Sequence, residues 1–413
     1  MTTTISGEIA SATRLGGAPE SVKTQPDDAW IEQLQAELPV DAHLDAVLTR
    51  KLGRRGRDTH RTVDTDELRG RLDTFLSTRL AGPFELSALA PLPGGASKEM
   101  FSFSLQWESD GVPRDDRMVL RMSPPASVVE TSRLQEAQIL RAVAGHLPVP
   151  ECFWATEDRE DFGEPAIITG LVRGVNAPTS GERAASGVGT NYGPKLRSRL
   201  AEQYVAHLAT LHSLDWRQKD LSTFALPSAG TTESAEAMCR RWFRVWAEDC
   251  FEDDPAMTLA RRWLWQHRPT LDSLSLLHGD YRNGNFLFDE STGELTALLD
   301  WELACVGDRH LDLSYALLPM WGHEDEEGRF VCSGMAERDS LLAEYERLSG
   351  LSVDPDRLRW YSVLNLYWLV AATRASGVRA AASGMSHLGV MLGFVSAIAA
   401  DCTHHMHRFM LEA

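Results

Sequence analysis

The residues with the clearest potential for chemistry lie in the segment 277–302. Asp280 and Asn285 are five positions apart on a polar turn, and two apolar runs separated by the turn-forming residues 289–294 lead to Asp300. A β-hairpin of this form would return Asp300 close to Asn285, so that two carboxylates and one carboxamide converge. Mg²⁺ prefers carboxylate and amide oxygens together with phosphate oxygens, which predicts Asn285 and Asp300 as metal ligands. Asp280 would then accept the hydrogen bond of an attacking hydroxyl, as phosphoryl transfer from a magnesium nucleotide requires.

The periodicity of the chain indicates two parts that could position these side chains. Residues 84–171 are predicted to be rich in β-strands, because residues 101–105 alternate apolar and polar and residues 118–121 form a short apolar run. One helix is expected within this part, at residues 131–144. Residues 172–413 are predicted to be mainly helical apart from the hairpin. Since pockets form readily between two such parts, the chemistry is expected at their junction.

The N-terminal region shows two different patterns. Residues 1–25 are rich in Thr, Ser, Ala and Gly without periodicity, which predicts a flexible tail. Residues 26–83 are predicted to form a helical extension, since Trp30, Leu34 and Leu38 follow one another at fourfold spacing.

The composition restricts the classes of function. The 413 residues include 41 Lys and Arg against 59 Asp and Glu, a formal net charge of −18, which argues against nucleic-acid binding. The six cysteines lack the spacing of a zinc site or a disulfide framework, as expected of a reduced, cytoplasmic protein. The N-terminus lacks a signal-peptide pattern, and the longest apolar stretch is shorter than the roughly 20 residues that a membrane span needs. We therefore expect no membrane partner, and the sequence leaves the oligomeric state open.

The central motifs resemble those of the aminoglycoside phosphotransferase family, a branch of the kinase-like fold. The resemblance rests on His278-Gly279-Asp280 with Asn285 five residues later, and on Asp300-Trp301-Glu302. It implies an α+β, protein-kinase-like fold with a nucleotide-binding N-lobe (84–171) and a helical, acceptor-binding C-lobe (172–413). It also implies ATP as phosphate donor, Mg²⁺ as cofactor, Asp280 as the catalytic base and a small-molecule hydroxyl as acceptor. Downstream, the family's Gly-Asp-x-x-x-Asp-Leu segment matches residues 307–313, with Asp312 in a structural role, and His212 matches another recurrent position.

Weaker upstream matches follow in the family's order. Gly94, Gly95 and Ser97 stand where the family folds a loop over the nucleotide phosphates, although a plain hairpin turn explains two glycines almost as well. Arg121 occupies the place of the strand lysine that contacts the α- and β-phosphates, and a guanidinium is a good bidentate phosphate ligand. Glu136 on the next helix is its expected carboxylate partner, with an ordinary ion pair as the alternative. Thr169 and Leu171 lie in a segment that resembles the hinge whose backbone binds adenine. Within the family, the amino-acid sequence of residues 300–304 is most similar to that of kinase-like domains found with acyl-CoA dehydrogenases.

Several alternatives remain open at this point. A protein kinase is disfavoured, because only eleven residues separate Asp300 from Asp312 and no Ala-Pro-Glu motif follows. A catalytically inactive, nucleotide-binding regulatory module is a second alternative. A third is a kinase of hydroxyacyl or hydroxy-acid compounds rather than of antibiotics, since fold-level analogy does not identify the acceptor.

Four other clusters have an ordinary structural explanation and a functional one. His404 and His407 share a helical face and could bind a metal, but a solvated cluster is the preferred interpretation. The basic stretch 50–61 is expected to be a helix end or linker, with binding of an anionic partner as the alternative. Residues 360–368 carry an aromatic and aliphatic stripe that is expected to be core rather than an acceptor pocket. The acidic run 323–327 is expected to be a loop, unless it attracts a cationic acceptor.

Overall fold

The N-terminal region consists of helices. This computed structural model describes residues 2–57, 63–92, 99–125, 127–179, 188–383 and 389–412. The helices of the region are α1 (Thr2–Gly16), α2 (Glu20–Thr24), α3 (Asp28–Glu37), α4 (Ala42–Arg54) and α5 (Thr65–Ser77). The last three begin where the side chain of an aspartate, at Asp27, Asp41 and Asp64, accepts a hydrogen bond from a backbone amide of the first turn.

The prediction of a flexible tail over residues 1–25 was wrong. The structure has α1 and α2 in this segment, and Ala12 and Leu15 are buried in the same hydrophobic core as Trp246. The composition of the segment misled the prediction, because a few small apolar residues suffice to pack a helix when a larger surface covers them.

The small lobe is a five-stranded antiparallel sheet with one long helix. Its strands are arranged in the order β1-β2-β3-β5-β4 and comprise β1 (Glu85–Pro91), β2 (Glu99–Ser109), β3 (Val112–Met122), β4 (Cys152–Thr156) and β5 (Ala166–Gly170). Helix α6 (Arg133–Val143) connects β3 to β4, and the short α7 (Arg159–Phe162) connects β4 to β5. Residues 101–105 lie in β2 and residues 118–121 in β3, as the alternation of the first segment and the apolar run of the second predict. Helix α5 packs its buried face, including Leu72 and Phe75, against the apolar face of this sheet.

The large lobe is mainly helical. Its helices are α8 (Gly193–Ser213), α9 (Glu233–Asp249), α10 (Pro255–Gln266), α11 (His310–Ala316), α12 (Arg338–Ser349), α13 (Pro355–Val370), α14 (Val378–Ser383) and α15 (Gly389–Leu411), with a π-helical segment at Ala371–Gly377. Its strands form three two-stranded ladders, which pair β6 (Ser275–Leu277) with β9 (Cys305–Gly307), β7 (Phe286–Asp289) with β8 (Glu294–Leu298), and β10 (His323–Glu324) with β11 (Phe330–Val331). The chain thus has the two-lobed, protein-kinase-like α+β fold that the motifs predict. Among the described residues, no helix combines the length and apolarity needed to cross a bilayer.

The N-terminal extension is divided between the two lobes. Whereas α5 covers the small-lobe sheet, Leu34 of α3 and Leu48 of α4 are fully buried in the core of the large lobe, together with Trp246 and Met257. The aromatic stripe of α13 belongs to the same core, since Trp360 and its neighbours on that helix are buried, which confirms the core interpretation.

The basic stretch 50–61 finds an anionic partner within the chain, at least over its described part. Lys51 and Arg55 both contact the buried carboxylate of Asp249 at the end of α9, and Lys51 also lies 2.8 Å from Glu248. Burial alone would raise the pKa of Asp249, but the charges of Lys51 and Arg55 outweigh burial and hold this pKa well below its ordinary value. Arg50 and Arg54 pair with Glu157 and Glu164 of the small lobe, so the stretch attaches the extension to both lobes.

Candidate active site

The hairpin that the sequence predicts is present and brings its two ends together. Phe286 pairs with Leu298 at the open end of the β7–β8 ladder, and the Leu299 amide donates a hydrogen bond to the Asn285 carbonyl oxygen at 2.8 Å. The next residue, Asp300, has a left-handed backbone conformation with φ of +64°. This conformation turns the backbone away from the direction of β8. The Asp300 side chain therefore lies on the same side of the molecule as the loop 278–285.

Asp280 is held by two side chains of its own loop. The Asn285 amide nitrogen donates to Oδ2 of Asp280 at 2.6 Å and to the Asp280 carbonyl oxygen at 2.9 Å, while Arg282 Nε donates to Oδ1 at 3.1 Å. Asp280 is nearly buried. With its nitrogen directed at Asp280, Asn285 keeps its side-chain oxygen for another partner, which suits a metal ligand.

Aromatic residues surround the other side of this loop. The guanidinium of Arg282 lies over the ring of Trp321 at 4.4 Å from the centroid. Burial, together with the charge of Asp280, raises the pKa of Tyr315 well above its usual range, so this phenol stays protonated beside the carboxylate. The surroundings of Asp280 in the large lobe are therefore aromatic, and its charge is paired with that of Arg282.

Asp300 faces the small lobe across the cleft. Arg121 Nη1 of β3 lies 3.1 Å from Asp300 Oδ1, and 37% of the Asp300 side-chain surface is accessible. Burial of the site and the nearby charge of Glu302 raise the pKa of Asp300, against the opposing influence of Arg121. The carboxylate thus lies partly buried between the lobes and remains accessible, as a ligand for a multivalent cation must be.

A chain of ion pairs links the two lobes behind Asp300. Arg121 contacts Glu136 of α6, Glu136 lies 2.6 Å from the fully buried Arg133, and Arg133 lies 2.9 Å from Glu302 in the turn after Asp300. We call these four residues the inter-lobe ion-pair chain. The predicted pairing of Arg121 with Glu136 is present, whereas the part played by Arg133 and Glu302 was missed. A signal existed in the sequence, since Arg133 precedes Glu136 by three residues and so shares its helical face.

The backbone of the loop that carries Asp280 is held by Asp312. The Asp312 carboxylate accepts hydrogen bonds from the backbone amides of His278 and Gly279, both at 2.7 Å, and lies 3.2 Å from His212 Nε2. Burial lowers the pKa of His212 although Asp312 opposes this effect, so a neutral imidazole that donates to Asp312 fits the site. These contacts are consistent with the structural role that the sequence suggested for Asp312.

Gly279 is required by its conformation and by its surroundings. Its φ is +81°, and a Cβ atom at this position would lie 2.3 Å from the carbonyl oxygen of Leu303. The close approach lets the turn after Asp300 pack directly on the loop of Asp280. The two acidic residues are therefore positioned relative to each other by backbone contact.

The remaining nucleotide-binding predictions have different outcomes. Gly94, Gly95 and Ser97 lie outside the described residues, between β1 and β2. Thr169 lies in β5, at the position paired with Val119 of β3. The Leu171 amide already donates to the Arg117 carbonyl oxygen at 2.8 Å, so in this structure that amide is engaged within the protein.

The acidic run is compensated by arginines. Asp325 lies 2.8 Å from Arg329 and 3.4 Å from Arg197, Glu326 lies 3.2 Å from Arg197, and Glu327 lies 3.0 Å from Arg329. Within the part of the chain that the structure describes, these three carboxylates are also the sole group of three or more His, Cys, Asp or Glu side chains close enough together to share a metal ion. The histidines in the described part of α15 belong to no such group, and the metal alternative at His404 and His407 stays a prediction. The arginine pairing of the acidic run favours the loop interpretation of that run.

Two curated relatives match the chain over part of their own length. Acyl-CoA dehydrogenase family member 10 from Mus musculus is 25% identical over 301 residues, which are 72% of this chain and 26% of that protein. Acyl-CoA dehydrogenase family member 11 from Homo sapiens is 27% identical over 274 residues, which are 63% of this chain and 33% of that protein. The chain thus spans no more than about a third of the length of these two relatives.

Solved structures confirm the fold. A candidate aminoglycoside phosphotransferase from Ralstonia eutropha superposes with a TM-score of 0.60 at 19% identity, covering 83% of this chain and 98% of that one. An ethanolamine kinase from Plasmodium vivax superposes with a TM-score of 0.52 at 10% identity, covering 91% and 99%. The family model described as the phosphotransferase enzyme family matches residues 89–361, which include the hairpin, both aspartates and the inter-lobe ion-pair chain. Because this match extends over well more than half of the sequence, the chain belongs to the phosphotransferase enzyme family.

Proposed function

We propose that this protein transfers the γ-phosphate of ATP, in the presence of Mg²⁺, to a hydroxyl group of a small molecule. The observation that carries the proposal is the hairpin return, which sets Asn285 against Asp280 and Asp300 against Arg121 in one cleft between the lobes. A solved aminoglycoside phosphotransferase that superposes with a TM-score of 0.50 was crystallised in a ternary complex with AMP-PNP and hygromycin B, which is in keeping with ATP as donor.

The donor set at the cleft fits a hard divalent cation. Asn285 offers a carboxamide oxygen and Asp300 an accessible carboxylate, and Mg²⁺ in phosphotransferases completes its shell with phosphate oxygens and water. When bound, such an ion would offset negative charge on the β- and γ-phosphates. Arg121 now lies 3.1 Å from Asp300, and its guanidinium would turn to the α- and β-phosphates when a nucleotide enters.

Asp280 would accept the proton of the acceptor hydroxyl. A carboxylate oxygen of Asp280 accepts the hydrogen bond of the attacking hydroxyl, which directs the hydroxyl oxygen at the γ-phosphorus. The new oxygen–phosphorus bond forms as the bond from the γ-phosphorus to the ADP oxygen breaks, and the hydroxyl proton passes to Asp280. Asn285 and Arg282 hold this carboxylate in place, while Asp312 holds the loop.

The described surroundings of Asp280 in the large lobe do not favour a polycationic acceptor. Arg282 is paired with Asp280 and lies over Trp321, and the acidic run 323–327, which could have attracted a cation, is paired with Arg197 and Arg329. Because the curated relatives are named for acyl-CoA dehydrogenation, hydroxy acids and hydroxyacyl-CoA esters belong in the acceptor screen beside aminoglycosides and macrolides.

The test is phosphate transfer from radiolabelled ATP to each of these acceptor classes, with and without Mg²⁺. We expect the wild type to label at least one acceptor, and Asp280→Asn and Asp300→Asn to lose turnover while keeping the wild-type circular dichroism spectrum. Asp289→Asn is the matched control, because Asp289 is an exposed aspartate at the far end of the same hairpin. Wild-type rates in either active-site variant would contradict the assigned roles. Nucleotide binding without transfer to any acceptor would favour the regulatory module.

A further inference from the structure

A cavity lies beside the segment that carries Asp280 and Asp300 but outside the proposed active site. It has a volume of about 380 Å³ and is bordered by the α3–α4 turn, by α9, and by strands β6 and β9. Its lining includes Leu277, three residues before Asp280, and Cys305, five residues after Asp300, but neither aspartate itself. A cavity of this size can hold a small organic ligand.

The wall of this cavity is largely apolar, and its carboxylates are already engaged. Val40, Met238 and Leu311 contribute to the apolar surface. Each of the three acidic residues in the wall accepts a hydrogen bond from the protein itself: Asp41 from the Gln135 side chain at 3.0 Å, Asp308 from His310 at 2.6 Å, and Glu233 from the Ser228 amide at 2.7 Å. These hydrogen bonds fix the three carboxylates within the wall, and Asp308 also has the cation of Arg357 at 3.6 Å.

Arg241 of α9 differs from these groups. Across the described residues, no carboxylate oxygen lies within ion-pair distance of its guanidinium, which instead rests over the ring of Trp242 at 4.9 Å. Its neighbour Arg240, which also lines the cavity, is paired with Glu236 at 3.2 Å. Burial lowers the pKa of Arg241, against the opposing influence of Cys305, Asp41 and Glu302. A guanidinium in apolar surroundings without a counter-ion is stabilised by an anion that enters them.

We propose that this cavity binds a small amphipathic anion, whose carboxylate or phosphate group pairs with Arg241 and whose apolar body lies against Val40 and Met238. The site depends on the N-terminal extension, because Val40 and the rest of the α3–α4 turn lie outside the residues 89–361 that the family model matches. None of its lining residues is assigned to the nucleotide or the metal, so this proposal does not rest on the proposed function.

Calorimetric titration of the full chain with octanoate and with octyl phosphate tests the proposal and distinguishes the two anionic groups. We expect at least one of them to bind with one-to-one stoichiometry, and octanol and octylamine to bind at least ten-fold more weakly. Arg241→Gln should weaken the anion at least ten-fold. The matched control Arg262→Gln, at an exposed arginine of α10 outside the cavity, should change the affinity less than two-fold.

Two further variants protect the test against misfolding and against binding elsewhere. Ala237→Phe places a large side chain into the cavity from α9 without altering a charge, and should abolish anion binding. Asp300→Asn should leave the affinity within two-fold. The proposal is overturned if neither anion binds at millimolar concentration, if octylamine binds as tightly as the anions, or if Ala237→Phe binds normally. A ten-fold loss in Asp300→Asn would place the anion in the proposed active site and would equally overturn it.

Discussion

Replacing Glu136 with Gln tests the inter-lobe ion-pair chain at its central carboxylate. Glu136 is 3% exposed, and its two oxygens contact Arg121 on one side and Arg133 on the other. Glutamine preserves the shape but removes the charge. Breaking a buried ion pair costs about 3–5 kcal/mol. Because Arg133 keeps Glu302 and Arg121 keeps Asp300, we expect the free energy of unfolding to fall by about 3 kcal/mol, the lower end of that range.

The same substitution should weaken catalysis through Arg121. Without Glu136, the Arg121 guanidinium is no longer held in the position from which it would meet the nucleotide phosphates. The loss of one hydrogen bond to a charged group, about 1.5–3 kcal/mol, corresponds to a fall of about 10- to 150-fold in kcat/KM for ATP. We expect this fall to appear mainly in KM, since Arg121 is assigned to the α- and β-phosphates and Asp280 to the acceptor.

Urea unfolding followed by tryptophan fluorescence, combined with steady-state kinetics, measures both effects. A double-mutant cycle with Arg121→Gln should give a coupling energy of at least about 1 kcal/mol, as residues in one ion-pair network show. Glu151→Gln is the matched control, because Glu151 forms a more exposed ion pair with Arg114 in the same lobe, and should cost less than about 1 kcal/mol. A coupling energy below about 0.5 kcal/mol together with an unchanged kcat/KM would refute the reasoning.

Three further predictions concern stability. Burial would raise the pKa of Asp249, but two neighbouring cations hold it low, so its contribution to stability is complete well above the unfolded pKa of about 3.9 and is lost as pH falls below that value. The urea midpoint of the wild type should therefore decrease below about pH 5, and less steeply in Asp249→Asn. Gly279→Ala should abolish turnover and lower the melting temperature, because its Cβ would collide with a backbone oxygen 2.3 Å away; normal values for both would contradict the backbone contact. Leu15→Ala should cost about 2–5 kcal/mol of unfolding free energy, whereas no loss would restore the flexible-tail prediction.

The sequence by itself determined the hairpin that carries the candidate site. The spacing of Asp280, Asn285 and Asp300 predicted a hairpin return, and the structure has it, because hairpin geometry depends on neighbouring residues and their turn. The alternation of residues 101–105 and the apolar run of residues 118–121 likewise predicted strands β2 and β3. The two-lobed fold followed from motifs that occur in one order along the chain.

Only the tertiary structure decided the partners of groups that are distant in the sequence. Arg133 finds Glu302 at a separation of 169 residues, and Arg197 finds Asp325 at a separation of 128. The tail appeared unstructured because the apolar surface that buries Leu15 is supplied by the large lobe rather than by its own segment. The unpaired Arg241 could not be recognised either, since a charge is seen to lack a counter-ion only when every element packed around it is known.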